Sequence, residues 1–285
     1  MKKLLSVRRE TERHWVGDGF PVRSLFSYQD QSPPPSPFLL LDYAGPAEFP
    51  PATRPRGVGE HPHRGFETVT VVYQGEVAHR DSAGNSGRIG PGDVQWMTAA
   101  SGIVHEEKHS PEFTRSGGTL EMIQLWVNLP ARFKLIPPRY QTLLDAQIPT
   151  VALPGGSGSV RVIAGDFAGA HGAAQSFTPI NLWDLRLRAG ESVELPLPDG
   201  HTAALLVLKG AASLEDTARV KHAEIAIFDP SGEGIALRAQ EDLMALVLSG
   251  EPIDEPVVGY GPFVMNTEAE IEQAFSDYQA GRFAR

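Results

Sequence analysis

The sequence predicts an all-β fold: two similar units of short strands, each a sandwich or barrel, followed by one C-terminal helix. Three observations carry that expectation. First, 29 glycines and 24 prolines punctuate 285 residues, against roughly 12% for the two combined in average usage. With 41% apolar residues the chain is too hydrophobic to be disordered, and it is too rich in turn residues for a helical bundle. Second, short apolar runs rich in β-branched side chains recur with turn residues between them. Third, a 3.6-residue apolar period occurs once, near the end.

Taken in order, Ser24–Tyr28 and Phe38–Tyr43 are short apolar runs that bracket the proline-rich Ser32–Pro37. Thr68–Gln74 (TVTVVYQ) is dense in β-branched residues and stops at Gly75. Asp81–Gly87 (DSAGNSG) has turn composition, and Gly90-Pro91-Gly92-Asp93 leads into a strand over Val94–Thr98. Thr119–Asn128 supplies another. After Pro137–Arg139 the pattern begins again, with expected strands at Ser159–Ala164, Asn181–Arg188, Ala203–Leu208, Glu224–Phe228 and Leu243–Ser249. Pro154-Gly155-Gly156-Ser157-Gly158 is either an interdomain linker or a hairpin turn inside the second unit. The repetition divides the chain at about residue 140, into 1–140 and 141–285. Near the end, Thr267 and Glu270 form a capping box, and Ile271, Ala274, Phe275 and Tyr278 make one apolar stripe before Gly281.

Composition also narrows the chemistry. There is no cysteine, which excludes disulfides, thiolate nucleophiles and cysteine-ligated metals. A net charge of -10 and a pI near 5.4 disfavour direct binding to nucleic acid or to an anionic membrane. No apolar run approaches the length of a spanning helix. Arg8-Arg9 is followed by Glu10, Glu12, Arg13 and His14 rather than by an apolar segment, so the expectation is a cytoplasmic protein without an export signal.

His61-Pro62-His63 places two imidazoles on one face of a strand, where residues i and i+2 align. Pro62 suits an edge strand or a strand entry. His105 and Glu107 repeat the same spacing further on. Flanking residues Phe66, Val69, Val71, Val72, Ile103 and Val104 are apolar, so these polar groups are drawn indoors, where they need partners. A metal ion unites all four. Three imidazoles and one carboxylate without sulfur suit Fe(II), Mn, Ni, Cu or Zn.

The stretch from His61 to Glu107 closely resembles the pirins of the cupin superfamily. The blocks His61–Thr70, Gly90–Thr98, Gly102–His105, QLWVNL at Gln124–Leu129, PRYQ at Pro138–Gln141, Gly250-Glu251-Pro252 and YGPFVMN at Tyr260–Asn266 extend the resemblance over nearly the whole chain. It implies a bicupin: two tandem antiparallel jelly-roll β-barrels with a short C-terminal α-helix that packs back on the N-terminal barrel. It further implies a mononuclear metal in the N-terminal barrel, usually Fe(2+), with Mn, Ni, Co, Cu or Zn as alternatives, held by His61, His63, His105 and Glu107. The second barrel, where His201 and His222 stand alone, is expected to hold none.

The resemblance leaves the carboxylate open between two residues. General cupins take it from the first motif, Glu67 here, whereas pirins take it from the second, Glu107. Either is a candidate catalytic base. Several bacterial pirin-like proteins resemble quercetin 2,3-dioxygenases, which implies a flavonol and O2 as substrates. Phe66, Trp96, Met97 and Trp126 are the candidate pocket walls. The alternative that the family implies is non-enzymatic: an iron-dependent regulator that binds a protein partner.

Overall fold

The computed structural model describes residues 1–10, 12–214 and 218–283. The chain is mostly β-strand, and it divides into two compact units. Neither is a contiguous segment. One, the site unit, comprises 12–34, 38–145 and 253–285; the other comprises 1–11, 35–37 and 146–252. This differs from the contiguous 1–140 and 141–285 expected from the repeat. Edge pairing gives the reason at the N-terminus, where Leu4–Arg9 pairs antiparallel with Glu224–Phe228. A local apolar pattern does not reveal so distant a partner.

The site unit is built on two sheets. The larger has seven strands in the order Arg139–Leu143, Val94–Thr98, Phe66–Gln74, Gly118–Asn128, Phe38–Phe49, Phe20–Ser27 and His14–Val16. The smaller has four: Gly57–His63, Ile103–His109, Val77–Asp81 and Ser86–Ile89. All pairings within them are antiparallel. Gly57–His63 is an edge strand, which is where Pro62 does no harm because no second neighbour needs its missing N–H.

The chain passes from the smaller sheet to the larger at Arg64-Gly65. Gly65 has φ +89°, and a Cβ there would lie 2.0 Å from Val264 O, so only glycine fits this corner. Lys134 braces it. Its buried ammonium donates to Gly65 O and Asn128 Oδ1, both at 2.7 Å, and to Val264 O at 3.0 Å. Burial pulls the Lys134 pKa down to about 7.

The C-terminal segment belongs to the same unit. Thr267 caps the helix Glu268–Gln279, accepting from Glu270 N, while Glu270 Oε2 accepts from Asn266 N. Ile271 and Ala274 pack with Phe263, Met265 and Phe283, and Val104 joins them. Arg64, beside the corner glycine, donates to Asp277 at 2.8 Å and to Ser101 O at 2.7 Å. That first bond is the main reason Asp277 is held down to about 2. A second helix, Pro111–Ser116 capped by Ser110, was not foreseen in the sequence pattern; it follows the last residue of the His105 strand.

The other unit repeats the plan, with a seven-stranded sheet, a four-stranded sheet and antiparallel pairing throughout. Pro154–Gly156 joins the paired strands Thr150–Ala152 and Gly158–Ala164, so the glycine-rich stretch is a hairpin turn. Its core is one large apolar cluster that includes Trp183, Leu205, Val207, Leu214, Leu237 and Val247. No described helix is long and apolar enough to cross a membrane.

Candidate metal centre and cavity

The smaller sheet of the site unit delivers the imidazoles. His105 stands directly opposite His61 on one neighbouring strand and Asp81 on the other, so all three share a face. Glu107 stands opposite His79. A register shift between His105 and Glu107 lets His61 face His105 while Glu107 faces Val58. The strand Ile103–His109 buries every second residue, namely Ile103, His105, Glu107 and His109.

The rings of His61, His63 and His105 converge, with centroids 4.3–4.9 Å apart. Among the described residues, two overlapping sets have donor atoms within 4.8 Å of one another: His61 with His63 and His105, and His79 with His105 and Glu107. His105 belongs to both. His63 Nδ1 and His105 Nε2 are buried without a hydrogen-bond partner. Burial, reinforced by neighbouring imidazoles, holds both rings well below the ordinary histidine pKa, hence neutral. A neutral imidazole with an orphaned buried nitrogen is a ligand in want of an ion. His61 Nδ1 lies 2.8 Å from Gly59 O, a contact that leaves Nε2 free to ligate. Each set, three nitrogens in one and two nitrogens with a carboxylate in the other, is free of sulfur and suits a divalent first-row ion.

His79 was not among the sequence candidates. Its Nδ1 accepts from Gln95 Nε2 at 2.9 Å and lies 3.3 Å from His105 Nδ1, its Nε2 lies 3.2 Å from Asp81 Oδ2, and its ring stacks on Tyr140. The only local signal was His79-Arg80-Asp81, an i, i+2 pair just before a turn.

Of the two carboxylates, Glu107 lies with the imidazoles and Glu67 does not. Glu107 is buried, and Thr70 Oγ1 lies 3.3 Å from its Oε1. Glu67 is directly opposite Thr98, which donates to it at 2.7 Å, whereas Phe66, Thr68 and Thr70 alternate onto the opposite face. The Gly65 corner starts a new strand in a different sheet, so the alternation that aligns His61 with His63 does not carry on to Glu67. Burial pushes the Glu67 carboxyl up to about 7, against the pull of the Thr98 bond.

A cavity of ≈ 320 Å³ opens beside the imidazoles. Val16, Phe20, Val22, Val58, Met122 and Trp126 supply most of its wall; His61, His63 and Glu107 lie at one side, and Asp42 and Gln124 are its other polar groups. Of the four residues expected to wall a pocket, Trp126 does. Phe66 stands behind it, with the two rings stacked at 4.3 Å. Trp96 and Met97 do not line it: both are fully buried, Trp96 sharing the Glu67 and Val69 face and Met97 packing with Ala99 and Ile103. Neighbours on one strand alternate faces, so Trp96 and Met97 could not both have faced one cavity.

The pirin family model matches residues 19–127, and the model of the pirin C-terminal cupin domain matches 182–284. The chain belongs to the pirin family. A Pseudomonas aeruginosa protein provisionally named a quercetin 2,3-dioxygenase is 60% identical over 285 residues, covering 100% of this chain and 99% of that protein. A pirin-like protein of Solanum lycopersicum is 39% identical, covering 99% and 91%. Among solved structures, a quercetin 2,3-dioxygenase from Acinetobacter baumannii superposes with a TM-score of 0.96 at 53% identity, covering 99% of this chain and 98% of that one. The all-β bicupin fold is therefore that of this pirin-type neighbour.

Proposed function

We propose that this pirin is a metal-dependent dioxygenase of the quercetin 2,3-dioxygenase type, with an ion, Fe(2+) first, held by His61, His63, His105 and Glu107. The observation that carries this is the placing of orphaned, neutral imidazoles beside a largely apolar cavity. The likeness to quercetin 2,3-dioxygenases supports the substrate class. When bound, the ion supplies a Lewis acid for a substrate hydroxyl and a meeting place for O2.

The chain's own residues do the rest. Trp126, backed by Phe66 and by Tyr28 stacked at 6.2 Å, gives a flat aromatic substrate a surface to lie on. The apolar wall excludes water, which strengthens polar contacts inside. Glu107 takes the proton of the substrate hydroxyl on its carboxylate, which lies 3.3 Å from Thr70 Oγ1. Glu67, on the other face of the sheet, takes no part.

The test is metal analysis of the purified protein followed by mixing with quercetin in air. Loss of flavonol absorption with release of carbon monoxide is expected, and His61→Ala abolishes it. No turnover with Fe, Mn, Ni, Co or Cu overturns the enzymatic reading and leaves binding to a protein partner as the alternative to pursue.

A further inference from the structure

The inner face of the seven-stranded sheet carries one polar row. Ser24 stands opposite Asp42, Asp42 opposite Gln124, Gln124 opposite Thr70, and Thr70 opposite Gln95. Directly opposed residues share a face, so the five form an unbroken line across five strands. Two residues along the strands the parallel line is apolar: Val22, Ala44, Met122 and Val72. The polar line is hydrogen-bonded at its metal side. Thr70 donates its one proton to Gln124 Oε1 at 2.7 Å and lies 3.3 Å from Glu107 Oε1, and Gln95 donates to His79.

Its far side is less complete. Asp42 is 8% exposed and lines the cavity. Ser24 donates to its Oδ1 at 2.5 Å; a carboxylate has two oxygens and room for several donors. Burial raises its pKa, the mark of a carboxylate with too few partners. Register puts Asp42 two strands from Thr70, roughly 10 Å at the usual strand spacing. An aromatic ligand with a hydroxyl at each end bridges that span through one hydrogen bond at either end.

We propose that Asp42 is the second recognition point of the cavity, accepting a hydrogen bond from a hydroxyl at the far end of a linked-ring polyphenol whose near hydroxyl meets the metal centre. This rests on the dioxygenase reading and names what that site selects: aromatic substrates hydroxylated at both ends. Gln124, whose carbonyl oxygen is taken by Thr70, keeps its NH2 group as a donor between the two.

The test measures binding under argon, without turnover, by quenching of tryptophan fluorescence in the protein with its metal. Quercetin and fisetin, hydroxylated on the outer rings, are compared with 3-hydroxyflavone, which carries the near hydroxyl only. A hydrogen bond to a charged group predicts that the first two bind about tenfold tighter or better. In Asp42→Asn and Asp42→Leu that preference shrinks to about twofold while 3-hydroxyflavone binds as before; a structural role for Asp42 moves all three ligands together. Equal binding of the three ligands by the unaltered protein overturns the assignment without any variant, and so does a tenfold preference that survives both substitutions. Binding of no flavonol at all overturns the dioxygenase reading along with it.

Discussion

In the site unit, the strand Ile103–His109 buries Ile103, His105, Glu107 and His109. In the other unit, the strand Gly234–Ala239 holds the same second place in its four-stranded sheet and buries Ile235, Leu237 and Ala239. The third strands contrast in the same way: Val77, His79 and Asp81 are buried in one, Ala212 and Leu214 in the other. Strand order and alternation are alike, and only the chemistry of the buried row changes. The barrel itself therefore does not need the polar row. Each buried imidazole left without a partner costs about 1–3 kcal/mol, so the site unit carries a penalty that a bound ion would offset.

The strongest way to break this contrast is to make the first unit resemble the second. His105→Leu is expected to bring metal content down to background, and to leave the melting temperature of the metal-free protein unchanged or higher. Metal analysis and calorimetry check both; a variant that keeps its ion ends the assignment of His105.

The converse substitution, Leu237→His, puts an imidazole into the apolar cluster of the other unit, where no partner waits. A loss of about 2–4 kcal/mol in denaturant unfolding is expected, combining lost apolar packing with an unsatisfied polar group.

A third test separates the two faces of the site sheet. The Glu67 carboxyl is raised to about 7 from an ordinary 4.5, so between those pH values the folded state holds a proton that the unfolded chain has released. Wild-type stability therefore falls as pH rises through that window, and Glu67→Gln does not share the fall. The variant is expected to match wild type near pH 4 and to exceed it by about 1–3 kcal/mol at pH 8, with bound metal unchanged. Melting curves across pH decide it.

The smallest effect is expected at Gln95→Leu, which removes the donor to His79 while leaving every proposed ligand in place. Metal affinity falls about tenfold, as for other residues that orient a ligand. Competition with a chelator measures it.

Much of this was legible in the chain. Most strands expected from apolar runs are present within a few residues, including Val94–Thr98 and Glu224–Phe228 with the same limits. The strands that escaped notice, such as Leu4–Arg9 and Val77–Asp81, carry charged or histidine side chains that mask the alternation. The polar row left a faint trace as lone polar residues inside apolar strands: Asp42 in LLLDYA, Thr70 in TVTVV, Gln95 in VQWMT and Gln124 in MIQLW. Nothing local tells that they line up.

By itself, then, the sequence determined an all-β chain of two like units, a site without sulfur, and two imidazoles on one strand face, because composition and strand alternation are local properties. Tertiary structure decided that Glu107 rather than Glu67 joins the imidazoles, that His79 stands with them, and that Trp126 alone of four aromatic and Met candidates reaches the cavity. Those outcomes depend on cross-strand register and on a glycine corner that carries the chain from one sheet to another. Register is set by which distant strands pair, and no count along one strand contains it.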